Sequence, residues 1–312
     1  MNAAPSVALI NDLLPRLFPH GPRYTVARVT EGVSTFVYRL TAGDHSCYLR
    51  VLPEEGRTFA PEVHAHELLR ARGVMVPEVL CYVPSVETLG LSVMVTTTIP
   101  GQSIARLGLG PASTAILTAA GHDLALINSV AVAGFGWLDR RSPLSSALTA
   151  AHSSDRAFLT EHLEDDFACL GTVLFGPAEI AALRAIIVEY EHWLDPSQAH
   201  LAHGDFDLTH IFAHEGRYSG IIDFGEIRGT DRWYDLGHCS LRDGEHFAEP
   251  ALPALLAGYR SVTPLPADAE ARIAFSSLLI GLRLLARSVE KRGHENADRS
   301  ALRAVRRALV VL

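Results

Sequence analysis

Residues 201–237 have the sequence LAHGDFDLTHIFAHEGRYSGIIDFGEIRGTDRWYDLG, in which His203, Asp205, His210 and Asp223 are candidates to accept protons or hold metal ions. Asp205 follows His203 by two positions and precedes His210 by five. Asp223 follows His210 by thirteen positions. Carboxylates and imidazoles are the usual proton acceptors and metal ligands of enzymes. At such wide spacings they can act together only where the chain between them folds back on itself.

The segment between His210 and Asp223 predicts such a reversal. Short apolar runs at 211–213 and 218–222 are separated by the sequence His-Glu-Gly-Arg, a pattern typical of a β-hairpin. Because a hairpin brings its two ends together, we expect His210 and Asp223 to lie close in space. We expect Asp205 near the start of the first strand. Phosphoryl transfer needs this arrangement, in which one carboxylate accepts a hydroxyl proton and two ligands hold Mg²⁺ on the phosphates.

The order of these motifs resembles the aminoglycoside phosphotransferase family, protein-kinase-like enzymes that phosphorylate hydroxyls of small molecules. The matching segments are His203-Gly204-Asp205-(x)4-His210, Ile221-Ile222-Asp223-Phe224-Gly225 and Asp231-(x)3-Asp235-Leu236. The resemblance implies an α+β, two-lobed protein-kinase-like fold, with a small β-rich N-terminal lobe and a larger helical C-terminal lobe. The usual family pattern has Asn at the position of His210, but the branch that phosphorylates the 2″ hydroxyl of aminoglycosides has His there.

The resemblance also implies a role for each polar residue of the stretch. Asp205 corresponds to the catalytic base, and Asp223 to a ligand of Mg²⁺. His210 corresponds to the second metal ligand, although an imidazole nitrogen suits hard Mg²⁺ less well than an oxygen does. His203 is interpreted as structural, and Asp235 as a buried carboxylate that supports the catalytic loop.

The N-terminal third of the chain is predicted to bind the nucleotide. Strands are expected at 24–30, 35–40 and 47–52, and the connector at 31–34, which ends with Ser34, resembles the loop that covers the nucleotide in kinase folds. The segment from Thr97 to Ile99 resembles the family hinge, whose backbone groups meet the nucleotide base.

Arg50 stands where the third strand of the family carries a phosphate-binding lysine. The chain has one lysine, Lys291, and nothing in the sequence places it near a nucleotide. A guanidinium can hold two phosphate oxygens at once, so Arg50 is a suitable substitute. The resemblance also implies that Glu62, in a helix predicted at 59–72, pairs with this cation, because it falls where the family's cation-pairing Glu usually falls, and Glu67 is the alternative.

The pair Pro100-Gly101 is the predicted domain boundary. We expect a nucleotide-binding lobe at 1–99 and a helical lobe at 100–312 that contains the catalytic loop and the metal site. Apolar residues with a 3.6-residue period predict helices in the second part. A strand is also expected at 74–80, entered through Pro77, and another at 91–96. The predicted helices lie at 112–130, 154–170, 177–194, 233–241, 249–259, 267–289 and 297–311.

Composition restricts the partners. The chain has 312 residues, is 48% hydrophobic and carries a net charge of −8, which disfavours nucleic acid and suits a cationic substrate. No apolar run is long enough for a transmembrane helix, so no membrane partner is expected. The N-terminus lacks a signal-peptide pattern and the four cysteines are dispersed, which together fit a reducing cytoplasm.

Three functions remain open from the sequence. The first is a Mg²⁺-dependent kinase that uses ATP or GTP to phosphorylate a small hydroxylated molecule. The resemblance implies an aminoglycoside-like antibiotic as the acceptor, and hence antibiotic resistance, and the other acceptors of the family, choline, homoserine, methylthioribose, fructosamine and macrolides, are the alternatives. The second is a non-catalytic nucleotide-binding protein, suggested by the departures at Arg50 and His210. The third is a metal-dependent hydrolase that uses His203, Asp205, His210 and Asp223 as ligands.

Overall fold

The computed structural model describes residues 3–30, 35–108, 110, 112–144, 147–244, 247 and 249–312. Two compact units make up the chain. Unit 1 contains Met1–Pro100, Asp139–Leu148 and Ser219–Gly225, and unit 2 contains Gly101–Leu138, Thr149–Tyr218 and Glu226–Leu312. Two short segments from later in the chain therefore belong to unit 1. The assignment of nucleotide binding to 1–99 and of catalysis to 100–312 remains a prediction.

Unit 1 is built on one antiparallel sheet with the strand order β1-β2-β3-β5-β4. The strands expected at 24–30, 35–40, 47–52 and 91–96 are confirmed, and each end lies within two residues of the prediction. The elements of unit 1 are α1 (Val7–Leu17), β1 (Thr25–Val29), β2 (Phe36–Ala42), β3 (His45–Val51), α2 (Ala60–Ala71), β4 (Val79–Val86) and β5 (Leu91–Thr97).

Two apolar clusters hold the helices of unit 1 on this sheet. One face of α1 contributes Ile10, Leu13 and Leu14 to the first cluster, at the three- and four-residue spacing that a helical face requires. Side chains of α2 and its N-terminal end enter the second cluster with Met94 of β5. Each fully buried aliphatic side chain contributes about 1.5–3 kcal/mol to stability. The remaining members of the first cluster are Tyr38, Leu40, Cys47, Leu49, Val51, Val86, Leu91, Val93 and Val95.

Unit 2 is mostly helical. Its helices are α3 (Ile104–Leu107), α4 (Ser113–Ile127), α5 (Asp155–Leu159), α6 (Leu163–Val173), α7 (Pro177–Glu189), α8 (Tyr234–Arg242), α9 (Leu252–Arg260), α10 (Ala269–Arg292) and α11 (Arg299–Val311), with 3₁₀ turns at Glu191–Leu194 and His294–Asn296. Its strands are β6 (Gln102–Ser103), β7 (Ala131–Val132), β8 (Phe135–Leu138), β9 (Ala150–His152), β10 (Ala199–Ala202), β11 (Ile211–His214) and β13 (Arg228–Thr230).

The predicted hairpin after His210 is confirmed. β11 continues into β12 (Arg217–Ile221), which begins in unit 2, and the two are neighbours in a sheet with the order β12-β11-β6. Glu215 and Gly216 have φ values of 50° and 74°, the signature of a two-residue type I′ turn that matches the twist of the strands.

The core of unit 2 lies around α10, which packs on α6, α8 and α11. A separate pair of helices, α4 and α9, approaches closely because each helix has a glycine at the contact. A Cβ at Gly121 would lie 2.0 Å from the Leu255 carbonyl oxygen, and one at Gly258 would lie 1.8 Å from that of Thr118. Neither position therefore accepts a side chain.

Three details of the sequence-based prediction were wrong. A five-stranded sheet of order β7-β10-β13-β8-β9 lies in unit 2 and was missed, because strands of two to four residues show no clear period. The helix predicted at 154–170 is divided into α5 and α6, since Thr160 ends the first by bonding back to the Arg156 carbonyl at 2.7 Å. The strand predicted at 74–80 begins only at Val79.

Pro77 explains the late start of β4. It has no N–H to donate to a sheet, and its carbonyl oxygen lies 2.9 Å from Nδ1 of His66. The α+β fold class is confirmed, with a β-rich N-terminal sheet and a helical C-terminal region. Among the described residues, no helix combines the length and the apolar character needed to cross a membrane.

Candidate active site

In unit 2, the loop that follows β10 is held by Asp235, at the start of α8. This carboxylate is fully buried and accepts three hydrogen bonds. The donors are the backbone N–H groups of His203 and Gly204, both at 2.8 Å, and Nδ2 of Asn128 at 2.9 Å. A buried carboxylate is tolerated when N–H donors replace the water that it loses. Asp235 therefore holds the backbone of the His-Gly-Asp motif in one conformation.

Asn128 extends this network to two further elements. Its Nδ2 also donates to the Leu201 carbonyl at 2.9 Å, and its Oδ1 accepts from the Tyr259 hydroxyl at 3.3 Å. Donor and acceptor are both engaged, so the amide orientation is determined. Burial raises the pKa of Tyr259, which keeps its hydroxyl protonated as a donor. Neither residue is predicted from the sequence, since an isolated Asn at the end of α4 or Tyr in α9 carries no distinguishing signal.

The turn at Gly204 requires glycine. Its φ is +86°, and a Cβ there would lie 2.0 Å from the carbonyl oxygen of Glu226. Next to it, His203 is fully buried, and its Nδ1 lies 3.3 Å from the backbone nitrogen of Asp205, which donates to it. The His203 ring thus contacts the loop from inside, as the interpretation of a structural histidine requires.

Asp205 is the half-exposed member of the loop, with 44% of its side chain accessible. Its Oδ1 lies 3.3 Å from Nε2 of His238, a buried residue of α8. Nδ1 of His238 lies 3.1 Å from the carbonyl oxygen of Phe206. One oxygen of the Asp205 carboxylate thus faces the fixed ring of His238, while the carboxylate as a whole remains accessible to a substrate. Sequence analysis assigned nothing to His238.

His210 ends the same loop. Its Nδ1 donates to the backbone carbonyl of Asp205 at 2.7 Å and lies 3.5 Å from Oδ1 of Asp207. In a neutral ring, donation from Nδ1 leaves the lone pair on Nε2, the form in which histidine binds metals. Asp207 in turn accepts from the backbone N–H of Thr209 at 2.7 Å and from its hydroxyl. The donor chemistry of His210 therefore fits a metal ligand.

In unit 1, Arg50 and Glu62 form a close ion pair. Nη1 of Arg50 lies 2.5 Å from Oε2 of Glu62, and the two side chains are 11% and 1% exposed. Burial alone would lower the pKa of Arg50, but the negative charges of Glu62 and Asp223 and the hydrogen bond that Arg50 donates to Glu62 raise it overall. Arg50 is therefore a permanent cation. Glu67, the alternative partner, is exposed.

Asp223 lies in the same unit as Arg50. Its φ is 65°, a left-handed conformation that Asp tolerates better than most residues, and the Gly225 N–H donates to its Oδ1 at 3.4 Å. The following Phe224 is fully buried and contacts the edge of the His66 ring at 5.0 Å. Burial lowers the pKa of His66 to about 4. The packing of Phe224 holds the segment that presents Asp223.

Arg140 joins this group from a distant part of the sequence. Its Nη2 donates to Oε1 of Glu62 at 2.5 Å and to the carbonyl oxygen of Gly225 at 2.9 Å. Two guanidinium groups thus share the Glu62 carboxylate, one on each oxygen. Arg140 is not predicted from the sequence, because 78 positions separate it from Glu62.

The predicted hinge begins at the end of β5. Oγ1 of Thr97 accepts from the backbone N–H of Glu78 at 2.9 Å, and the Thr97 N–H donates to the Glu78 carbonyl at 2.9 Å. The Thr97 side chain is thus engaged within unit 1, and Ile99 is partly exposed. Ser34 lies outside the described residues, and its predicted contact with nucleotide remains a prediction.

His210 belongs to unit 2 and Asp223 to unit 1. Their joint action on one metal ion remains a prediction. Among the residues that the structure describes, no group of three or more His, Cys, Asp and Glu side chains is arranged to hold a metal ion.

Comparisons with known proteins agree with this architecture. A short stretch of 38 residues is 42% identical to the aminoglycoside 3′-phosphotransferase of Enterococcus faecalis, covering 12% of this chain and 14% of that relative. The crystal structure of a thermostable mutant of aminoglycoside phosphotransferase APH(4)-Ia, in a ternary complex with ADP and hygromycin B, superposes with a TM-score of 0.70 at 17% identity. That alignment covers 96% of this chain and 98% of the other.

A second solved structure has the same fold with a different acceptor in its name. Macrolide 2′-phosphotransferase MphH from Brachybacterium faecium gives a TM-score of 0.62 at 16% identity, covering 97% of this chain and 98% of that one. At such identities the structures show the fold. A sequence model of the phosphotransferase enzyme family matches residues 25–274, most of the chain, and this protein therefore belongs to the phosphotransferase enzyme family.

Proposed function

We propose that this protein is a nucleotide-dependent kinase that transfers the terminal phosphoryl group of ATP or GTP to a hydroxyl of a small molecule. The observation that carries the proposal is the carboxylate of Asp205, half exposed on a loop whose backbone Asp235 holds with two hydrogen bonds. A base that must meet an incoming hydroxyl needs this combination of access and fixed position.

Asp205 has the role of base in this reaction. The carboxylate accepts a hydrogen bond from the acceptor hydroxyl and orients its oxygen for attack. Because the transition state of phosphoryl transfer is loose, the oxygen needs little negative charge at first, and the proton moves to Asp205 late. A weak base such as a carboxylate is therefore sufficient.

The residues of unit 1 bind the nucleotide. The Arg50 guanidinium, paired with Glu62 at 2.5 Å, neutralises the inner phosphates. The backbone from Thr97 to Ile99 meets the base, since the Thr97 side chain is engaged with Glu78. Ser34 is assigned to the loop over the phosphates.

We assign Mg²⁺ to Asp223 and His210. The carboxylate of Asp223 is the ligand type that Mg²⁺ prefers, and the lone pair on Nε2 of neutral His210 makes it the second, softer ligand. When bound, Mg²⁺ would neutralise negative charge on the phosphates, including the charge that develops on the leaving group. The Asp223 carboxylate would then contribute more to Mg²⁺ binding than the His210 imidazole.

We propose an aminoglycoside-like antibiotic as the acceptor. The net charge of −8 favours a cationic molecule, and the chain shares its fold with a protein solved with ADP and hygromycin B. Such an enzyme would confer antibiotic resistance, and it would act in the cytoplasm, where nucleoside triphosphates are available. The macrolide enzyme with the same fold makes macrolides the next class to test.

A coupled assay of nucleotide turnover tests the function. Purified protein would be given ATP or GTP, Mg²⁺ and one acceptor at a time from a panel of aminoglycosides, macrolides, fructosamines, choline, homoserine and methylthioribose. We expect acceptor-dependent release of nucleoside diphosphate, with a phosphorylated product by mass spectrometry, and no such product from Asp205→Asn. Nucleotide binding with no turnover on any acceptor would support a binding protein instead. Hydrolysis of phosphate esters without nucleotide would support the metal-dependent hydrolase.

A further inference from the structure

We propose that Arg140 is a positioning residue for the nucleotide phosphates, which holds Glu62 on the side opposite Arg50 and leaves a net positive charge there. This inference rests on the proposed function, because it concerns how unit 1 binds a nucleotide. Arg140 lies outside the N-terminal hundred residues, which contain Arg50 and Glu62.

The contacts of Arg140 fix its position from both ends. Its backbone carbonyl accepts from the Thr58 N–H at 2.7 Å, just before α2 begins. Its guanidinium donates to Glu62 at 2.5 Å and to the Gly225 carbonyl at 2.9 Å, and its centre lies 5.8 Å from that of the Phe59 ring. Arg140 therefore joins the helix that carries Glu62 to the segment that carries Asp223.

The charges of this cluster explain why a second guanidinium matters. A single cation paired with Glu62 gives a neutral pair, which attracts phosphate only weakly. With Arg50 on Oε2 and Arg140 on Oε1, these three side chains carry a net charge of +1, and Asp223, whose negative charge also acts on Arg50, is the carboxylate assigned to Mg²⁺. Glu62 is then already compensated by Arg140, and the charge of Arg50 remains available to the anionic phosphates.

A second observation concerns the hydrogen bonds of the Arg140 guanidinium. Its Nη1 is buried and has no hydrogen-bond partner within the part of the chain that the structure describes. An unpaired buried N–H of a cation is unfavourable, since it has lost water and gained no acceptor. The negative charge of a nearby phosphate would stabilise the positive charge of this guanidinium by Coulomb attraction.

The test compares ligands that differ only in phosphate. Calorimetry would measure ATP, ADP and adenosine binding, with Mg²⁺ present, to wild type, Arg140→Gln and Arg140→Lys. The matched control is Arg141→Gln, because Arg141 is the next residue and its side chain is 77% exposed. We expect Arg140→Gln to weaken ATP binding about tenfold or more and to leave adenosine binding unchanged. Arg140→Lys should lose less, and Arg141→Gln should match wild type.

A double-mutant cycle separates positioning through Glu62 from a general structural effect. The effect of Arg140→Gln on ATP affinity should shrink when Glu62→Gln is already present, because the shared carboxylate is gone. Equal losses for ATP and adenosine, or unchanged ATP affinity in Arg140→Gln, would overturn this inference alone. If wild type bound neither ATP nor adenosine, the proposed function would fail and this inference with it. Arg140→Lys provides the same comparison if the Gln variant does not fold.

Discussion

Nε2 of His238 lies 3.3 Å from Oδ1 of Asp205, so a buried imidazole on α8 faces the carboxylate assigned as the base. The other ring nitrogen lies 3.1 Å from the Phe206 carbonyl. Both neighbours are acceptors, and a neutral ring can donate to only one of them. The protonated ring can donate to both. The charge state of His238 therefore determines how strongly Asp205 is held.

The pH dependence of activity should report this pair. Burial lowers the pKa of His238 below its ordinary value of 6.5, and Arg242 acts in the same direction, while Asp205 and Asp207 oppose it. As pH falls through that lowered pKa, His238 becomes a cation that stabilises the Asp205 carboxylate and makes it a poorer proton acceptor. We expect kcat/KM to fall on the acid side, below pH 6.5.

Replacement of His238 by Gln removes this titration and keeps a neutral donor for Asp205. We expect the acid limb of the kcat/KM profile to move to lower pH in His238→Gln, with nucleotide affinity unchanged. The measurement is steady-state kinetics from pH 5 to pH 8, roughly the range in which histidine titrates. Identical acid limbs in wild type and variant would show that His238 does not tune Asp205.

Substitutions at the two carboxylates should separate catalysis from nucleotide binding. Asp205→Ala is expected to abolish transfer and to leave nucleotide affinity nearly unchanged, since Asp205 meets the acceptor. Asp223→Ala should weaken binding of the Mg²⁺–nucleotide complex, because it removes a metal ligand. Turnover assays and calorimetry check both. The opposite pattern would reverse the two assignments.

Removal of the Arg50 guanidinium should weaken nucleotide binding. A charge-assisted contact with phosphate contributes about 1.5–3 kcal/mol, which corresponds to a roughly ten- to hundredfold loss of affinity in Arg50→Ala. Arg50→Lys should retain part of the affinity. Lys291→Ala, at the exposed C-terminal end of α10, is the control and should retain all of it. Unchanged affinity in Arg50→Ala would mean that another cation binds the phosphates.

Asp235 should be important for stability as well as for activity. In Asp235→Asn, either orientation of the amide places an N–H₂ group against at least one donor, from His203, Gly204 or Asn128. We expect a loss of about 3 kcal/mol in the free energy of unfolding and a large fall in kcat. Urea denaturation checks the first effect. Asp12→Asn, on the exposed face of α1, should be neutral.

Asp155 should make stability depend on pH. It is buried at the start of α5, and burial raises its pKa to about 7 despite hydrogen bonds from Thr230 and the Asp231 N–H. Because the folded pKa exceeds the unfolded one, the contribution of Asp155 is complete below pH 3.8 and is lost as pH rises to about 7. Relative to Asp155→Asn, wild type should gain about 1.4 kcal/mol for each pH unit lowered within that window.

Urea denaturation of both proteins between pH 5 and pH 7.5 measures this difference. His66, whose pKa is lowered to about 4, destabilises the fold as pH falls through the same range, but both proteins contain it and its effect cancels. A stability difference that does not change with pH would contradict the prediction for Asp155.

The sequence predicted well where the signal was local. The hairpin after His210 followed from short apolar runs on either side of a turn, whereas the fold class and the pairing of Arg50 with a helical Glu followed from the family resemblance that the motifs carry. The division between α5 and α6 did not, because the carbonyl that Thr160 contacts is set by backbone conformation. The short strands of the sheet in unit 2 lacked enough residues to show a period.

The sequence by itself predicted Asp205, Asp223 and Arg50 as the residues that carry the chemistry, through short motifs and the family resemblance, and these roles remain predictions. Only the tertiary structure identified Arg140 and His238, and it did so through contacts that no local pattern predicts. Arg140 reaches Glu62 across 78 positions, and Asn128 reaches Asp235 across 107. One arginine or asparagine resembles any other in the sequence, and the path of the folded chain alone decides which one meets a buried carboxylate.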